Sequence, residues 1–464
     1  MSKIGPRATS ALFMALATAL HFGGYEFVRN ACLALFTSAD YGFTSPAAFP
    51  LATALVSPFS VLLLWAYSQQ LARHGPRITL RRTTGASLLM IGGAAALLQS
   101  CQIWHLPKLV RQIVLGGTYL FQNSYQYLLY TQEWSFLSSV LTPSEGSIWF
   151  ARIAGVSSLT CTLTGSLVAY VTPRIGLYGL MALTCITLTG SLLCQDYAYA
   201  LAQEHGFEPS PNQGKTTKKD DQPSPQNAKD DHNRLTQAID LFRRVPTLRA
   251  LLYETMAFQS LNTILNVAFV SVLKRTITND WERSAYTGRL FSMINACSAL
   301  FQFVALPVLI PRTEPAMIWR CMPLLPLVVC LQQTMQADLS LSLLAAAFAL
   351  AKIMDYSFHS VVVPMVYQPL DFQSRYLGKE IIGVLGSRFG KSGMSLILSG
   401  LTTVLGTTVF GVRQVVYLSA VASVAWTSFS WWISWLIPKK DEAQAIVQER
   451  TQTTTTTTTK DKAE

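Results

Sequence analysis

The sequence predicts an all-α integral membrane protein. Half of its 464 residues are apolar and only 13% are charged, whereas a soluble domain carries about 25% charged residues. The apolar residues are also concentrated in long blocks with few or no charges, such as Leu51–Ala66 and Gly176–Leu193. Because a helix needs roughly 20 mostly apolar residues to cross a bilayer, these blocks indicate transmembrane helices.

About twelve such spans can be placed along the chain. They lie near residues 9–30, 48–69, 84–103, 113–140, 149–172, 176–196, 248–273, 286–311, 316–334, 338–366, 381–410 and 413–437. Between the sixth and the seventh span, two charged runs, Lys215–Asp221 and Lys229–Asp231, predict a solvated segment, because it cannot bury enough apolar area to fold. The predicted divisions are an N-terminal six-helix half (1–196), a charged cytoplasmic linker (197–247), a C-terminal six-helix half (248–438) and a disordered Thr-rich tail (439–464).

Two six-helix halves around a charged central segment are the layout of major-facilitator-type transporters, whose halves rock around a site near the middle of the membrane. If the N-terminus is cytoplasmic, most of the 36 Lys and Arg residues lie on the cytoplasmic face, as the positive-inside rule requires. The net charge of +11 therefore indicates topology rather than nucleic-acid binding. Both termini are expected on the cytoplasmic side, or on the stromal or matrix side of an organelle membrane.

No motif favours an enzyme. The sequence contains no GxxxxGK[ST] loop, no HExxH motif and no convincing nucleophile elbow. The eight cysteines form no CxxC pair and are interpreted as small packing residues, so no metal or cofactor is expected. The basic and apolar N-terminus imitates a signal peptide, but without a convincing small-x-small cleavage site it is interpreted as the first helix. We expect a monomer.

Ionisable residues inside the spans are the first candidates for a transport site, because each costs a few kcal/mol to hold in lipid. Glu26 and Arg29 lie three residues apart at the end of the first span, so they share a helix face and can neutralise each other. Lys352 and Asp355 form a similar pair in the tenth span. Glu133, in the fourth span, has no cation near it in sequence. It is expected to face a polar cavity or to find a cation on another helix.

The remaining candidates have two interpretations each. His359, one turn after Asp355, is either a hydrogen-bonded packing residue or a proton relay. Arg289 and Glu254 are expected at the membrane interface, or with side chains that reach towards it. The aromatic residues around Glu133 either pack the helix or stack on a base; they are Tyr125, Tyr127, Tyr130 and Trp134.

One C-terminal stretch resembles a known family. It contains Pro369-Leu370-Asp371, then Gly378-Lys379, then Gly386-Ser387-Arg388 followed by Gly390-Lys391-Ser392-Gly393. The order and spacing of these motifs resemble the C-terminal signature of the bacterial and plastid-type ATP/ADP translocases, which are nucleotide transporters. Weaker similarity covers Tyr25–Asn30, Glu133–Trp134, Phe150–Gly165, Thr263–Lys274 and Tyr286–Phe291.

The departures from that family concern charge. Family members that exchange ATP for ADP carry a lysine where this chain has Cys32, and a glutamate and a lysine where it has Asn266 and Val270. A further lysine and glutamate of the family correspond to Val363 and Pro364. Only Arg29 and Glu133 are retained. Because a nucleoside triphosphate carries several negative charges that fixed cations must balance, the resemblance implies a nucleotide transporter with weakened triphosphate binding and an altered substrate.

The resemblance and the charged residues together predict the site. The predicted substrate-binding residues are Arg29, Glu133, Lys352, Asn266, Tyr130 and Arg289, and the predicted coupling or gating residues are Asp355, His359, Lys379 and Arg388. The expected partner is a nucleotide or another phosphorylated anion, in a plastid or other organelle inner envelope or in the plasma membrane. Two alternatives stay open: a proton-coupled carrier of another anionic solute, using Asp355 and His359, and a transport-inactive membrane scaffold or sensor.

Overall fold

The computed structural model describes residues 5–141, 143–206, 240–336, 339–367, 369–370, 378, 381–439, 441–443 and 445. These residues form helices, and no strand is found among them. The α-helices are α1 (Pro6–Phe36), α2 (Ala48–Ile103), α3 (Lys108–Val140), α4 (Pro143–Glu204), α5 (Pro246–Thr276), α6 (Asp280–Leu300), α7 (Leu306–Arg312), α8 (Pro315–Cys321), α9 (Leu324–Thr334), α10 (Leu341–Met354), α11 (Ser360–Tyr367), α12 (Gly390–Val409) and α13 (Val412–Leu436). Three further segments have the wider π-helical turn, at Phe301–Ala305, Asp355–His359 and Ile382–Phe389.

Eight helical stretches of the described chain are long and apolar enough to cross a membrane. They are Pro6–Phe36, Ala48–Leu71, Arg73–Ile103, Gly155–Glu204, Pro246–Thr276, Asp280–Ile310, Pro315–Thr334 and Leu341–Tyr367. The predicted all-helical, multi-pass membrane fold is confirmed at this level, and the number of twelve spans stays a prediction. Most residues of the predicted linker and of the predicted Thr-rich tail lie outside the described residues. Lys379 also lies outside them.

Glycines end and restart helices without an intervening loop. Gly75 in α2, Gly176 in α4 and Gly406 in α12 have φ of 76°, 70° and 70° and ψ of 174°, −178° and 166°. This combination of positive φ and extended ψ is essentially restricted to glycine. Residues 70–83, predicted to lie between two spans, are instead helical on both sides of Gly75. The break is therefore a single residue, which hydropathy alone does not reveal.

The described chain divides into two compact units, of which the first comprises Met1–Gln222 and Ser271–Ala299. Within it, α1 is the inner helix and packs against α3 and α4. Hydroxyl groups join α1 to α4: Ser10 donates to the carbonyl of Ala198 at 2.8 Å, and Thr184 donates to the carbonyl of Gly24 at 2.9 Å. Because lipid provides little hydrophobic drive between helices, close packing of small residues and such hydrogen bonds hold membrane helices together.

The second unit comprises Pro223–Val270 and Leu300–Glu464. Its inner helix is α5, where Phe258 and Phe269 are buried. The ring of Phe269 stacks on Phe348 of α10, with centroids 5.2 Å apart and planes at 5°. Helices α8 and α9 pack against α13, with Trp319 and Trp426 fully buried. The last residues of α5 and all of α6 except Leu300 group with the first unit.

The substitution Gly75→Ala is expected to lower the free energy of unfolding by about 1–3 kcal/mol, because an alanine is strained at this φ and ψ. Gly93→Ala is the matched control: Gly93 is exposed in the same helix, and a Cβ there meets nothing within 4 Å. Alanine at this site should leave stability unchanged or raise it slightly. Thermal unfolding of both variants in detergent measures the difference, and equal midpoints would contradict the assignment of Gly75 as an obligatory break.

Candidate functional site

Arg29 is largely neutralised inside its own helix. Its guanidinium donates to the Glu26 carboxylate one turn earlier in α1. The guanidinium carbon also lies 3.5 Å from the centroid of the Phe291 ring of α6, a cation–π contact. The Arg29 side chain is 13% exposed and that of Glu26 3%. The two residues do share a helix face, and the positive charge predicted for substrate is already balanced by Glu26.

Glu133 finds its partners on two other helices. It is fully buried, and the Nε2 of Gln195 in α4 donates to its Oε1 at 2.9 Å. Its Oε2 lies 3.3 Å from Nδ1 of His21 in α1. Thr84 of α2 donates to the Oε1 of Gln195 at 2.9 Å, which fixes the orientation of that amide. Helices α1 and α4 thus contact the Glu133 carboxylate of α3 directly, and α2 joins the cluster through Gln195.

Sequence reasoning missed His21 and Gln195 as parts of this site. His21 carries one signal that could have found it: no other Asp, Glu, Lys, Arg or His lies between Arg7 and Glu26. A lone ionisable residue inside a membrane span is a site hypothesis by default. Gln195 carries no comparable signal, since amides are common near helix ends.

The aromatic residues near Glu133 have different surroundings. Tyr125 is fully buried, with its ring 5.8 Å from His21 and 5.6 Å from Phe121. Tyr130, predicted to bind substrate, is 37% exposed, and its ring contacts Trp134 at 5.7 Å. Tyr125 is therefore part of the packed interior, whereas Tyr130 has an exposed face.

Arg289 lines a groove in the first unit. It was expected near the membrane interface, but it lies nine residues after the start of α6, about 14 Å along the helix axis. The groove has a volume of about 510 Å³. Its lining residues come from α4 and α6: Ser166, Ala169, Tyr170, Arg289, Ser292, Met293 and Ala296. Among the described residues, Arg289 makes no hydrogen bond and no ion pair.

The groove forms where α4 and α6 approach closely. Gly165 and Gly288 face each other there, and a Cβ on Gly288 would lie 2.9 Å from the carbonyl oxygen of Gly165. The hydroxyls of Ser166 and Ser292 are 2.6 Å apart, and Ser292 also donates to the carbonyl of Thr162 at 2.7 Å. The close backbones fix the floor of the groove and leave the guanidinium of Arg289 exposed at its side.

The tenth-span charges lie in the second unit, around π-helical turns. Nζ of Lys352 is 3.4 Å from Oδ2 of Asp355. Lys391, at the start of α12, interacts electrostatically with both of these residues and with Arg388. Asp355 begins one π-helical turn and Arg388 lies in another. Such wide turns often occur at functional sites, because they displace side chains from the regular helix register.

Glu254 lies inside the second unit, and its side chain does not reach a surface. The residue is fully buried in α5. Its Oε1 accepts a hydrogen bond from the indole Nε1 of Trp426 at 2.7 Å, and its Oε2 lies 3.2 Å from Nε2 of His359. The His359 ring also stacks on Phe258, with centroids 4.6 Å apart. Partners on two other segments allow a carboxylate to lie deep in the unit, and sequence does not reveal such partners.

The positions that correspond to family lysines are apolar and enclosed. Cys32 is fully buried and Val270 is 3% exposed. Asn266, where the resemblance implies a glutamate, is half-buried on α5. The lysine nearest to Val270 in sequence is Lys274, one turn later, whose Nζ donates to the carbonyl of Phe43 at 2.6 Å. The predicted loss of fixed positive charge from the first and seventh spans therefore applies to positions inside the packed units.

The helices define an all-helical, multi-pass membrane protein, and its fold is similar to that of several solved transporters. The chain is similar to the D-xylose-proton symporter at 12% identity, covering 93% of this chain and 98% of that one, with a TM-score of 0.64. It is similar to a bacterial homologue of the iron transporter ferroportin in its inward-facing state, with 14% identity, coverage of 94% and 100%, and a TM-score of 0.61. It is also similar to the inward open xylose transporter XylE from E. coli. The identity is 10%, the match covers 95% of this chain and 98% of that one, and the TM-score is 0.60.

A second comparison matches part of the chain to a known family. Residues 222–437 match the model of the TLC ATP/ADP transporter family. This match confirms the predicted resemblance and supports membership of the chain in this nucleotide-transporter family. Family and fold both point to a transporter rather than to an enzyme. No curated protein sequence matches the chain.

Removing the indole donor at Glu254 should destabilise the second unit. Trp426→Phe is expected to lower the free energy of unfolding by about 1.5–3 kcal/mol, since a hydrogen bond to a buried charged group is lost. Trp431→Phe is the control, because Trp431 is exposed and donates only to the carbonyl of Arg320. A double-mutant cycle with Glu254→Gln isolates the pair from the packing change. Additive effects in that cycle would show that the hydrogen bond contributes nothing.

Proposed function

We propose that the chain transports a nucleotide, or a smaller phosphorylated anion, by alternating access. The observation that carries this proposal is the match of residues 222–437 to a family of ATP/ADP transporters. The motifs Pro369-Leu370-Asp371 and Gly386–Gly393 lie inside the matched range. The likeness to solved transporters over more than nine-tenths of the chain supports a fold that is able to alternate between two sides of the membrane.

The groove at Arg289 supports an anionic cargo. An arginine this far into a membrane helix is costly unless water or an anion surrounds it. A volume of about 510 Å³ falls within the range of small-molecule sites. Ser166 and Ser292 add hydroxyl oxygens to the floor of the groove. One face of the Tyr170 ring lies against the guanidinium of Arg174, 3.8 Å from the ring centroid, and the other face can stack on a base. Arg289 is well suited to bind a phosphate group, because its planar guanidinium can donate two parallel hydrogen bonds.

The charge balance favours a less charged nucleotide than ATP. Arg29 is paired with Glu26, and Lys352 contacts Asp355. Cys32 and Val270 are buried where family members carry lysines. Each missing cation leaves one negative charge of the cargo without compensation. We therefore propose a nucleoside mono- or diphosphate as the preferred substrate.

Uptake of labelled AMP, ADP and ATP into intact cells that express the chain tests this function. We expect saturable uptake, with AMP or ADP preferred to ATP. Arg289→Gln should raise the KM about tenfold or more, since a charge-assisted hydrogen bond contributes about 1.5–3 kcal/mol and each 1.4 kcal/mol is tenfold. Arg289→Lys should retain part of the affinity.

Arg275→Gln is the matched control for this experiment. Arg275 is exposed in the last turn of α5 and does not line the groove. Cells that express the Arg275→Gln variant should take up labelled nucleotide at the same rate as cells that express the unmodified chain. If cells in which the chain reaches the membrane take up no nucleotide, the proposal fails. The result would then favour a transport-inactive scaffold or a carrier of another solute.

A further inference from the structure

We infer that the buried pair His21–Glu133 binds a proton and couples proton movement to transport. The inference rests on the proposed function in one respect: it takes the transported cargo to be a phosphorylated anion. Its own basis is a cluster in the first unit in which a carboxylate and an imidazole lie 3.3 Å apart, both fully excluded from solvent. The cargo is negatively charged, so a proton that moves in the same direction lowers the net charge that crosses the membrane.

The charge of the pair is the first step of the argument. With Glu133 ionised and His21 neutral, the pair carries one net negative charge in a fully buried position. Removing an uncompensated charge from water costs several kcal/mol. One added proton, on the carboxylate or on the imidazole, makes the pair neutral. The closed cluster therefore holds one proton, and it releases that proton when water reaches it.

Among the described residues, no Lys or Arg forms an ion pair with Glu133. On α1, Glu26 and Arg29 are paired with each other. Arg77 of α2 is paired with Asp196 of α4, 3.1 Å away. The other ionisable or charged groups on the four helices near the cluster are Tyr25 on α1, the exposed Arg81 and Arg82 on α2, Tyr125 and Tyr130 on α3, and Cys185 and Cys194 on α4. Tyrosines and cysteines are neutral at physiological pH, so they supply no cation.

The hydrogen bonds locate the proton. Gln195 donates to Oε1 of Glu133, and its own carbonyl accepts from Thr84, so the amide cannot be reversed without losing both bonds. Oε1 therefore remains an acceptor. A proton on Glu133 must sit on Oε2, which faces Nδ1 of His21. The bound proton lies between these two atoms.

The far side of the imidazole gives the proton a path. Nε2 of His21 is buried and has no hydrogen-bond partner among the described residues, and the same is true of the hydroxyl of neighbouring Tyr125. A water molecule at this position would give each of these polar atoms a hydrogen-bond partner. When a hydronium ion protonates Nε2, its O–H bond breaks and leaves water, and an N–H bond forms at Nε2. The N–H bond at Nδ1 then breaks and an O–H bond forms at Oε2 of Glu133. The reverse sequence releases the proton.

The second unit contains a similar pair that does not need a proton. Glu254 lies beside His359, and Asp355 is one turn away on the same segment. Lys352 and Lys391 both interact with Asp355, so this cluster already contains two cations to balance its carboxylates. This balance favours the first unit as the proton site.

Proteoliposomes that contain the full chain and the pH dye pyranine test the inference. Labelled ADP is supplied outside, and the interior is made one pH unit more alkaline. We expect ADP to accumulate up to roughly tenfold, because one pH unit corresponds to about 1.4 kcal/mol, while the dye reports acidification. Glu133→Gln and His21→Asn should remove both effects. Asp196→Asn, one residue from Gln195, is the matched control and should keep both.

Two other outcomes separate the inference from the proposed function. ADP that exchanges into ADP-loaded liposomes but ignores the pH gradient overturns the proton site and leaves nucleotide transport intact. If ADP does not move at all, nucleotide transport fails, and infrared spectra of the chain in nanodiscs decide about the proton. The difference between the spectra at acid and alkaline pH should contain carboxyl and imidazole bands. If Glu133→Gln and His21→Asn each remove these bands, the spectra support the site. Spectra identical to those of the unmodified chain overturn it.

Discussion

Compensation of buried charge is the constraint on which this structure depends. Within a membrane, an ionised side chain must find an opposite charge or strong hydrogen-bond partners inside the protein. Glu26 is paired with Arg29, Glu133 lies between His21 and Gln195, and Glu254 lies between His359 and Trp426. Each carboxylate joins residues of the same or neighbouring helices, so the placement of charge also fixes how the helices pack.

Packing of small residues makes these contacts possible. Gly24 and Ser191 let α1 and α4 approach, and hydroxyl-to-carbonyl bonds keep them in register. Gly165 and Gly288 bring α4 against α6 in the same way. Since α1 and α4 carry His21 and Gln195, this packing places their side chains within reach of Glu133. Polar function and helix association therefore depend on one another.

The same constraint explains why the family pattern is modified. In this chain Cys32 and Val270 are buried, apolar packing residues. Because neither side chain is charged, neither position needs a partner of opposite charge. A lysine there would need a carboxylate partner or a bound anion, as any buried ammonium does. Of the predicted site cations, Arg29 is paired with Glu26, Lys352 is paired with Asp355, and Arg289 lines the groove. A protein with these changes keeps its fold and carries fewer positive charges for a cargo to meet.

The sequence by itself determined the class: apolar blocks require membrane helices, and the motifs at 369–393 resemble the family whose model matches residues 222–437. The ion pairs at Glu26–Arg29 and Lys352–Asp355 could also be predicted, because residues three apart share a helix face. Only the tertiary structure decided that Glu133 meets His21, 112 residues away in sequence, and that Glu254 is buried against Trp426, 172 residues away. Helix periodicity specifies neighbours within a helix, whereas partners across helices depend on packing, which no local pattern records.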